Sequence, residues 1–297
     1  MKQKSRIQTD RRRTEIDLKI LQNTPPWDWP KTAGKTFEAV LMDRDAPEAD
    51  RLIAAELAGD YVVVNDELAG ILIGILGTAG ESADLRATAA TALGPALESA
   101  DLGDFDDPLD PPRISEETFH KIQRFLHMLY FEESIPTLVR RRILESSVRA
   151  QEDWHGDAIR KAYASGDRVW ILTAVFAMRW VRGFDEQILQ ALKSKDPDIH
   201  CEAVKAAGNW EVDAAWPHVF ALVENSATTP KPLLLAAIGA VASIRQNTDS
   251  LEILNHLVDS DDEDISEAAD EALSLAGAYT EFDEDDFKDE DSSGWIN

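Results

Sequence analysis

Residues 196–208 read Asp-Pro-Asp-Ile-His-Cys-Glu-Ala-Val-Lys-Ala-Ala-Gly, and this stretch decides the fold. Asp196 is of the residue type that caps helix starts, and Pro197 suits the first helical position. Small and apolar residues then recur at helical spacing, at Ile199, Ala203 and Ala207. The stretch therefore predicts a helix that packs closely through a face of small side chains.

The same pattern returns at a spacing of 33 residues, because Ala203 is followed by Ala236 and Ala269. A fixed period of this size is typical of stacked helix pairs, none of which can bury its apolar face alone. The pattern predicts an all-α fold, an α-solenoid of about seven antiparallel helix pairs.

The domain organisation follows from where this pattern begins and ends. We expect residues 1–30 to form a basic arm and a turn rich in proline and tryptophan, and residues 31–277 to form the repeat array. Prolines and aspartates in residues 99–113 predict an acidic insertion loop within the array. Acidic residues dominate 278–297, which we expect to be disordered.

The predicted second helices of the pairs share a cap or proline, an aliphatic residue, and then Ala-x-x-Ala-[Leu/Ala]-Gly or part of it. They resemble the second helices of HEAT-repeat proteins, of the short-period kind, with aliphatic positions at Leu85, Leu138, Val169, Ile199, Leu233 and Ile265. Arg86 and Arg140 lie near an arginine position of that family, whereas His200 and Glu267 depart from it. The resemblance implies the fold and specifies no chemistry.

Charge and cysteine content limit the functions that the chain can have. The net charge is -26, and residues 259–297 hold sixteen acidic side chains against Lys288. Phosphate backbones and anionic lipids would be repelled, so nucleic acid is an improbable partner, no membrane contact is expected, and a basic protein partner is favoured. Cys201 is the only cysteine, which excludes an internal disulfide and a cysteine-based metal cluster.

The middle of the array differs from both ends. Residues 138–182 contain nine basic and five acidic side chains, and five of the eight tryptophans lie in residues 154–216. Arginine and tryptophan are common interface anchors. The candidate partner-binding residues are Trp154, Arg160, Arg179, Arg182, Trp210, Trp216 and His218. The alternative is that the tryptophans are core and the arginines form structural salt bridges.

These observations favour a non-catalytic protein–protein interaction scaffold in the cytoplasm, with no catalytic residue, metal or cofactor. One alternative is a HEAT-like nucleic-acid binder or a repair protein of the DNA glycosylase type, which would use the Arg/Trp patch to hold a backbone. A second is a pigment-handling protein, because the repeat length is similar to that of phycobilin lyases.

Overall fold

The computed structural model describes residues 18–60, 62–245 and 247–285, with side chains as far as residue 275. Most of the predicted basic arm and the end of the predicted acidic tail, residues 286–297, lie outside the described residues. The chain divides into two compact units, Met1–Ala158 and Ile159–Asn297.

The described residues form fifteen α-helices, a further helical segment at 18–22 and no strand, so the predicted all-α class is confirmed. In unit 1 the helices are α1 (Ala33–Met42), α2 (Glu48–Leu57), α3 (Asp66–Gly77), α4 (Ala83–Ala92), α5 (Gly94–Leu102), α6 (Glu116–Phe131) and α7 (Thr137–Ser147). Helix α8 (Trp154–Tyr163) crosses the boundary between the units. Unit 2 continues with α9 (Arg168–Ala177), α10 (Asp185–Ala191), α11 (Pro197–Asn209), α12 (Trp216–Glu224), α13 (Lys231–Ile244), α14 (Thr248–Val258) and α15 (Glu263–Asp285).

Each unit is a stack of helix pairs in two layers. In unit 1 the second helices α2, α4 and α7 pack in succession, and the first helices α1, α3 and α6 form the other layer. In unit 2 the second helices α9, α11, α13 and α15 pack in succession. This is the solenoid arrangement that the 33-residue period predicts.

Helix starts are encoded locally by side chains that accept backbone N–H groups. Asn65 accepts from Leu68 at α3, Ser115 accepts from Thr118 at α6, and Asp196 accepts from the N–H groups of residues 198 and 199 at α11. Each cap satisfies a donor that has no partner inside the helix. The caps at Asn65, Ser115 and Asp196 are those that the sequence predicts.

Two predicted boundaries shift by several residues. Helix α5 extends to Leu102, so the proline- and aspartate-rich loop begins at Gly103 rather than at residue 99. The predicted end of the array at residue 277 falls inside α15, which ends at Asp285. The disorder expected for residues 278–297 stays a prediction.

Three arginines in unit 1 join the second helix of a pair to the end of its first helix. Arg86 Nε donates to the carbonyl oxygen of Leu76 at 2.9 Å, and Arg140 Nε donates to that of Tyr130 at 2.9 Å. Arg51 makes the equivalent bond to a carbonyl ten residues before it. Carbonyls in the last turn of a helix have no N–H partner within it, and a cation there also stabilises the helix dipole. These arginines are therefore structural.

Ion pairs between neighbouring helix pairs repeat at nearly the length of the structural unit. Partners lie 28 to 32 residues apart in Lys35–Glu67, Arg51–Glu81, Arg168–Asp196, Lys231–Asp262 and Arg245–Asp213. The exposed pairs are screened by solvent and add little net stability, so their main effect is to favour one register between helix pairs. The Arg51–Glu81 pair is better protected, with side chains 9% and 13% exposed.

Two glycines allow the second helices to approach each other closely. A Cβ atom on Gly208 would lie 2.8 Å from the Cα atom of Ala240, one helix pair further along the chain. In unit 1, a Cβ atom on Gly59 would lie 2.7 Å from the Cα atom of Ala92. Both contacts are with backbone, which cannot rotate away as a side chain can. Glycine is therefore required at both positions by packing rather than by backbone conformation.

We expect Gly208→Ala to lower the free energy of unfolding by roughly 1–3 kcal/mol, because α11 and α13 must separate to admit the methyl group. The matched control is Gly239→Ala in α13, where a Cβ atom would have no neighbour within 4 Å. The control should raise stability by about 0.4–1 kcal/mol, as glycine does when replaced in an unstrained helix. Urea denaturation measures both, and a Gly208→Ala protein as stable as the wild type would contradict the packing account.

Candidate functional site

A groove of about 400 Å³ lies on the second-helix layer of unit 2. Its floor is made by α11, α13 and α15, which contribute small residues at Gly208, Ala236, Gly239, Ala240, Ala268 and Ala272. Leu235 and Leu275 add apolar walls, and Arg179, Lys205, Asn209, Ser243 and Glu271 supply polar groups. A concave, mostly apolar surface with a few polar groups is the usual form of a small-molecule site.

Two cations on one side of the groove share one carboxylate. Lys205 Nζ lies 2.8 Å from Glu202 Oε1, and Arg179 Nη1 lies 3.3 Å from Glu202 Oε2. Lys205 and Glu202 belong to α11, and Arg179 follows α9. The three side chains together carry one positive charge, so this side of the groove favours an anion.

Gly239 lies in the middle of α13, between α11 and α15, and lines the groove. A glycine inside a helix costs about 1 kcal/mol relative to alanine. Since nothing lies within 4 Å of where its Cβ atom would be, packing does not require the glycine. Its effect is to leave room above the groove floor.

Of the seven residues that the sequence predicts as a partner-binding set, Arg179 lines this groove and the other six do not. Arg182 lies over the Trp210 ring, with its Cζ atom 4.7 Å from the ring centroid, and Trp210 Nε1 donates to the carbonyl oxygen of Met178 at 2.6 Å. Arg160 lies 5.9 Å from the centroid of the Phe184 ring. These contacts give Trp210, Arg182 and Arg160 structural partners within unit 2.

Trp216 is buried and stacks on Phe220 at 5.1 Å between centroids, with Arg245 covering its ring. In unit 1, Trp154 is half-buried in an aromatic cluster with His127, Tyr130, Phe131 and His155, and its Nε1 atom donates to Glu152. Both tryptophans therefore contribute packing. A role for the predicted set in binding a partner stays a prediction.

His218 pairs with His200, a residue that sequence reasoning noted only as a departure from the repeat pattern. Their Nε2 atoms are 2.7 Å apart, so one ring donates Nε2–H and the other accepts. Burial lowers the pKa of both rings, and for His200 the neighbouring His218 adds to the effect. Both rings lie in the first turns of their helices, where the helix dipole also disfavours imidazolium.

Ser147 Oγ and His155 Nε2 lie within hydrogen-bond distance, as in a catalytic serine–histidine pair, but the histidine is the donor of that hydrogen bond rather than the acceptor. His155 Nδ1 accepts the N–H of Glu152 at 2.9 Å, which assigns the ring proton to Nε2. Nε2 therefore donates to Ser147 Oγ at 3.0 Å, and Ser147 donates to the carbonyl oxygen of Leu144. A histidine that donates to a serine cannot accept its proton, and both side chains are buried. The pair is structural.

Among the described residues, no group of three or more His, Cys, Asp and Glu side chains is placed to hold a metal ion. Within the same residues, no helix is both long enough and apolar enough to cross a membrane.

Sequence reasoning missed Lys205, Asn209, Ser243 and Glu271, which the groove brings together. The signal was present, because these polar residues interrupt the small and apolar pattern on corresponding faces of three repeated helices. With the repeats aligned at a period of 33 residues, Asn209 and Ser243 stand where the following repeat has alanine, and Lys205 and Glu271 share one position with Ile238.

No protein-family model matches the chain, and no curated protein matches it. Among solved structures, the chain is similar to human deoxyhypusine hydroxylase in complex with glycerol, with 13% identity and a TM-score of 0.39 over 91% of this chain and 98% of that one. It is also similar to an engineered protein solved as a structural genomics target, with 18% identity and a TM-score of 0.33 over 84% of this chain and 98% of that one. A HEAT-like helical-repeat fold fits these neighbours.

The prediction of a non-catalytic protein–protein scaffold is contradicted by this comparison, because the human protein is an enzyme with a HEAT-like fold. Helical repeats alone therefore do not exclude catalysis, and the expectation that the chain is not an enzyme does not follow from its fold. At this level of similarity the comparison assigns no activity to the chain.

The pKa of His155 gives a test of its structural role. Burial, with a smaller contribution from His127, lowers that pKa from 6.5 to about 3. Between these values the unfolded chain binds a proton that the folded chain does not, so stability is full above pH 6.5 and falls as pH falls toward 3. From pH 7 to pH 5, this one group should remove about 2 kcal/mol of unfolding free energy.

The measurement is urea denaturation of the wild type and of His155→Gln at both pH values. The variant is expected to be less stable at pH 7 but to lose about 2 kcal/mol less than the wild type on acidification. Equal losses in the two proteins would show that His155 is not held neutral in the fold.

Proposed function

We propose that the chain is a ligand-binding helical-repeat protein whose groove in unit 2 takes a small carboxylate with an apolar body. The observation that carries the proposal is the joint placement of the Arg179–Glu202–Lys205 group and the open floor at Gly239. The charged group would orient the carboxylate, and the floor would accept the apolar body.

The volume of the groove supports the proposal that its ligand is a small molecule. A volume of about 400 Å³ lies near the lower end of the range of roughly 300–1,000 Å³ that is typical of small-molecule sites. The floor residues are small, so binding buries apolar area without ordering long side chains, which keeps the entropic cost of binding low.

The charge on the Arg179–Lys205 side of the groove supports an anionic group on the ligand, whereas Glu271 on α15 adds a negative charge elsewhere in the lining. Two cations share Glu202, which leaves about one positive charge to be neutralised. The net charge of -26 repels anions at long range, but at an ionic strength of 0.15 M this repulsion is screened beyond about 8 Å. Contacts inside the groove are shorter than that length.

We also propose a family and a cellular location for the chain. Membership in the short-period HEAT-like family is supported by the repeated close glycine contacts and by the arginines that bond the carbonyl ten residues earlier. A cytoplasmic location is supported by the single cysteine and the acidic composition.

The test uses isothermal titration calorimetry with hexanoate and hexanol at 150 mM NaCl and pH 7.5. Hexanoate should bind more tightly than hexanol, because only the carboxylate can pair with Lys205 and Arg179. Gly239→Leu should weaken hexanoate at least about tenfold by filling the groove, since a loss of this size needs only about 1.4 kcal/mol.

The matched controls lie outside the groove. Gly70→Leu in α3 also places a side chain in open space, and Lys193→Met removes a lysine, as Lys205→Met does, but at an exposed position away from the groove. Both controls should bind hexanoate as the wild type does, whereas Lys205→Met should bind it more weakly. Binding that is unchanged in Gly239→Leu, or absent in the wild type, would refute the proposal.

A further inference from the structure

A second pocket, of about 350 Å³, lies in unit 1 between the start of the described chain and the second helices α2 and α4. Leu21, Pro26, Leu57 and Pro95 give it apolar walls. Nothing in the proposed function uses this pocket, which lies in the other unit.

Trp29 forms part of the wall and is fixed in position. Its Nε1 atom donates to the carbonyl oxygens of Leu21 at 3.0 Å and Thr24 at 2.8 Å, and its ring meets Phe37 edge-on at 5.5 Å between centroids. The indole is thus held from two sides before any ligand arrives. The neighbouring Trp27 is 79% exposed and does not line the pocket.

Two carboxylates line the same pocket. Asp60 follows α2 and uses one oxygen to accept the N–H of Val62 at 2.9 Å, while Glu56 on α2 is exposed. Within the described residues, neither of them takes part in an ion pair. The carboxylates therefore carry negative charge that no described cation neutralises.

We propose that this pocket binds an aliphatic amine in its ammonium form. The alkyl chain lies against the apolar walls, the Trp29 ring supplies an electron-rich face, and Glu56 and Asp60 accept hydrogen bonds from the ammonium group. The charge of the whole protein acts in the same direction, because a net charge of -26 attracts cations.

Neutral and anionic ligands fit the pocket less well on physical grounds. A neutral chain of the same length gains the apolar contact but gives the two carboxylates no charge to pair with. An anion of the same length meets two like charges at short range, which is unfavourable. The order of affinity should therefore be ammonium first, alcohol second and carboxylate last.

The test is a ¹⁵N–¹H NMR titration of the full chain with hexylammonium, hexanol and hexanoate, read at the Trp29 indole N–H and assigned with Trp29→Phe. Hexylammonium should shift this signal with an affinity at least about tenfold higher than that of hexanol, and raising NaCl from 50 to 500 mM should remove most of the difference. Glu56→Gln should reduce the preference for the ammonium ion, whereas Glu48→Gln on the same helix, which does not line the pocket, should keep it.

A variant that fills the pocket tests binding independently of the Glu56→Gln and Glu48→Gln variants. Thr91 is an exposed residue of α4 that lines the pocket, and Thr91→Met replaces it with a longer side chain. This variant should abolish the ligand-induced shift of the Trp29 signal. Thermal unfolding checks that the variant is folded. Equal affinities for hexylammonium and hexanol, equal effects of Glu56→Gln and Glu48→Gln, or no shift at Trp29 would each overturn the proposal. The ammonium and carboxylate sites lie in different units and take probes of opposite charge, so either can fail alone.

Discussion

The close approach of successive second helices is the constraint on which the remaining structure depends. At Gly208 and Gly59 there is no space for even a methyl group, because the backbone of the next repeat occupies it. Each alanine beside these contacts buries little apolar area, but there are many of them, so the layer of second helices is densely packed. The ion pairs at intervals of 28 to 32 residues favour the same register.

This packing also explains why both candidate sites lie where they do. Small side chains give the layer of second helices a low surface. Larger polar side chains at the edges of the layer project beyond that surface and form the walls of a groove. In unit 2 the edge residues include Lys205 and Glu271, and in unit 1 they include Glu56 and Asp60. The close packing of small residues that stabilises the stack therefore also produces grooves. The few polar residues at the edges of each groove determine which ligand groups it can bind.

The sequence predicted the helices well because their signals are local. Asp196, Ser115 and Asn65 cap helices at the expected positions, and the period in the alanines placed the second helices correctly. The groove was not predicted, because its residues come from α11, α13 and α15 and from Arg179 after α9, which only packing brings together. Trp216 is buried and Arg182 lies on Trp210, contacts that no spacing in the sequence reveals, and a partner-binding role of the predicted set stays a prediction.

The measurement that tests the central claim most directly is a crystal structure of the full chain grown with hexanoate. The account predicts a backbone contact between Gly208 and Ala240, hexanoate over Gly239, and its carboxylate within hydrogen-bond distance of Lys205 or Arg179. Separation of α11 from α13 at Gly208, or hexanoate bound elsewhere while the groove stays empty, would contradict the account.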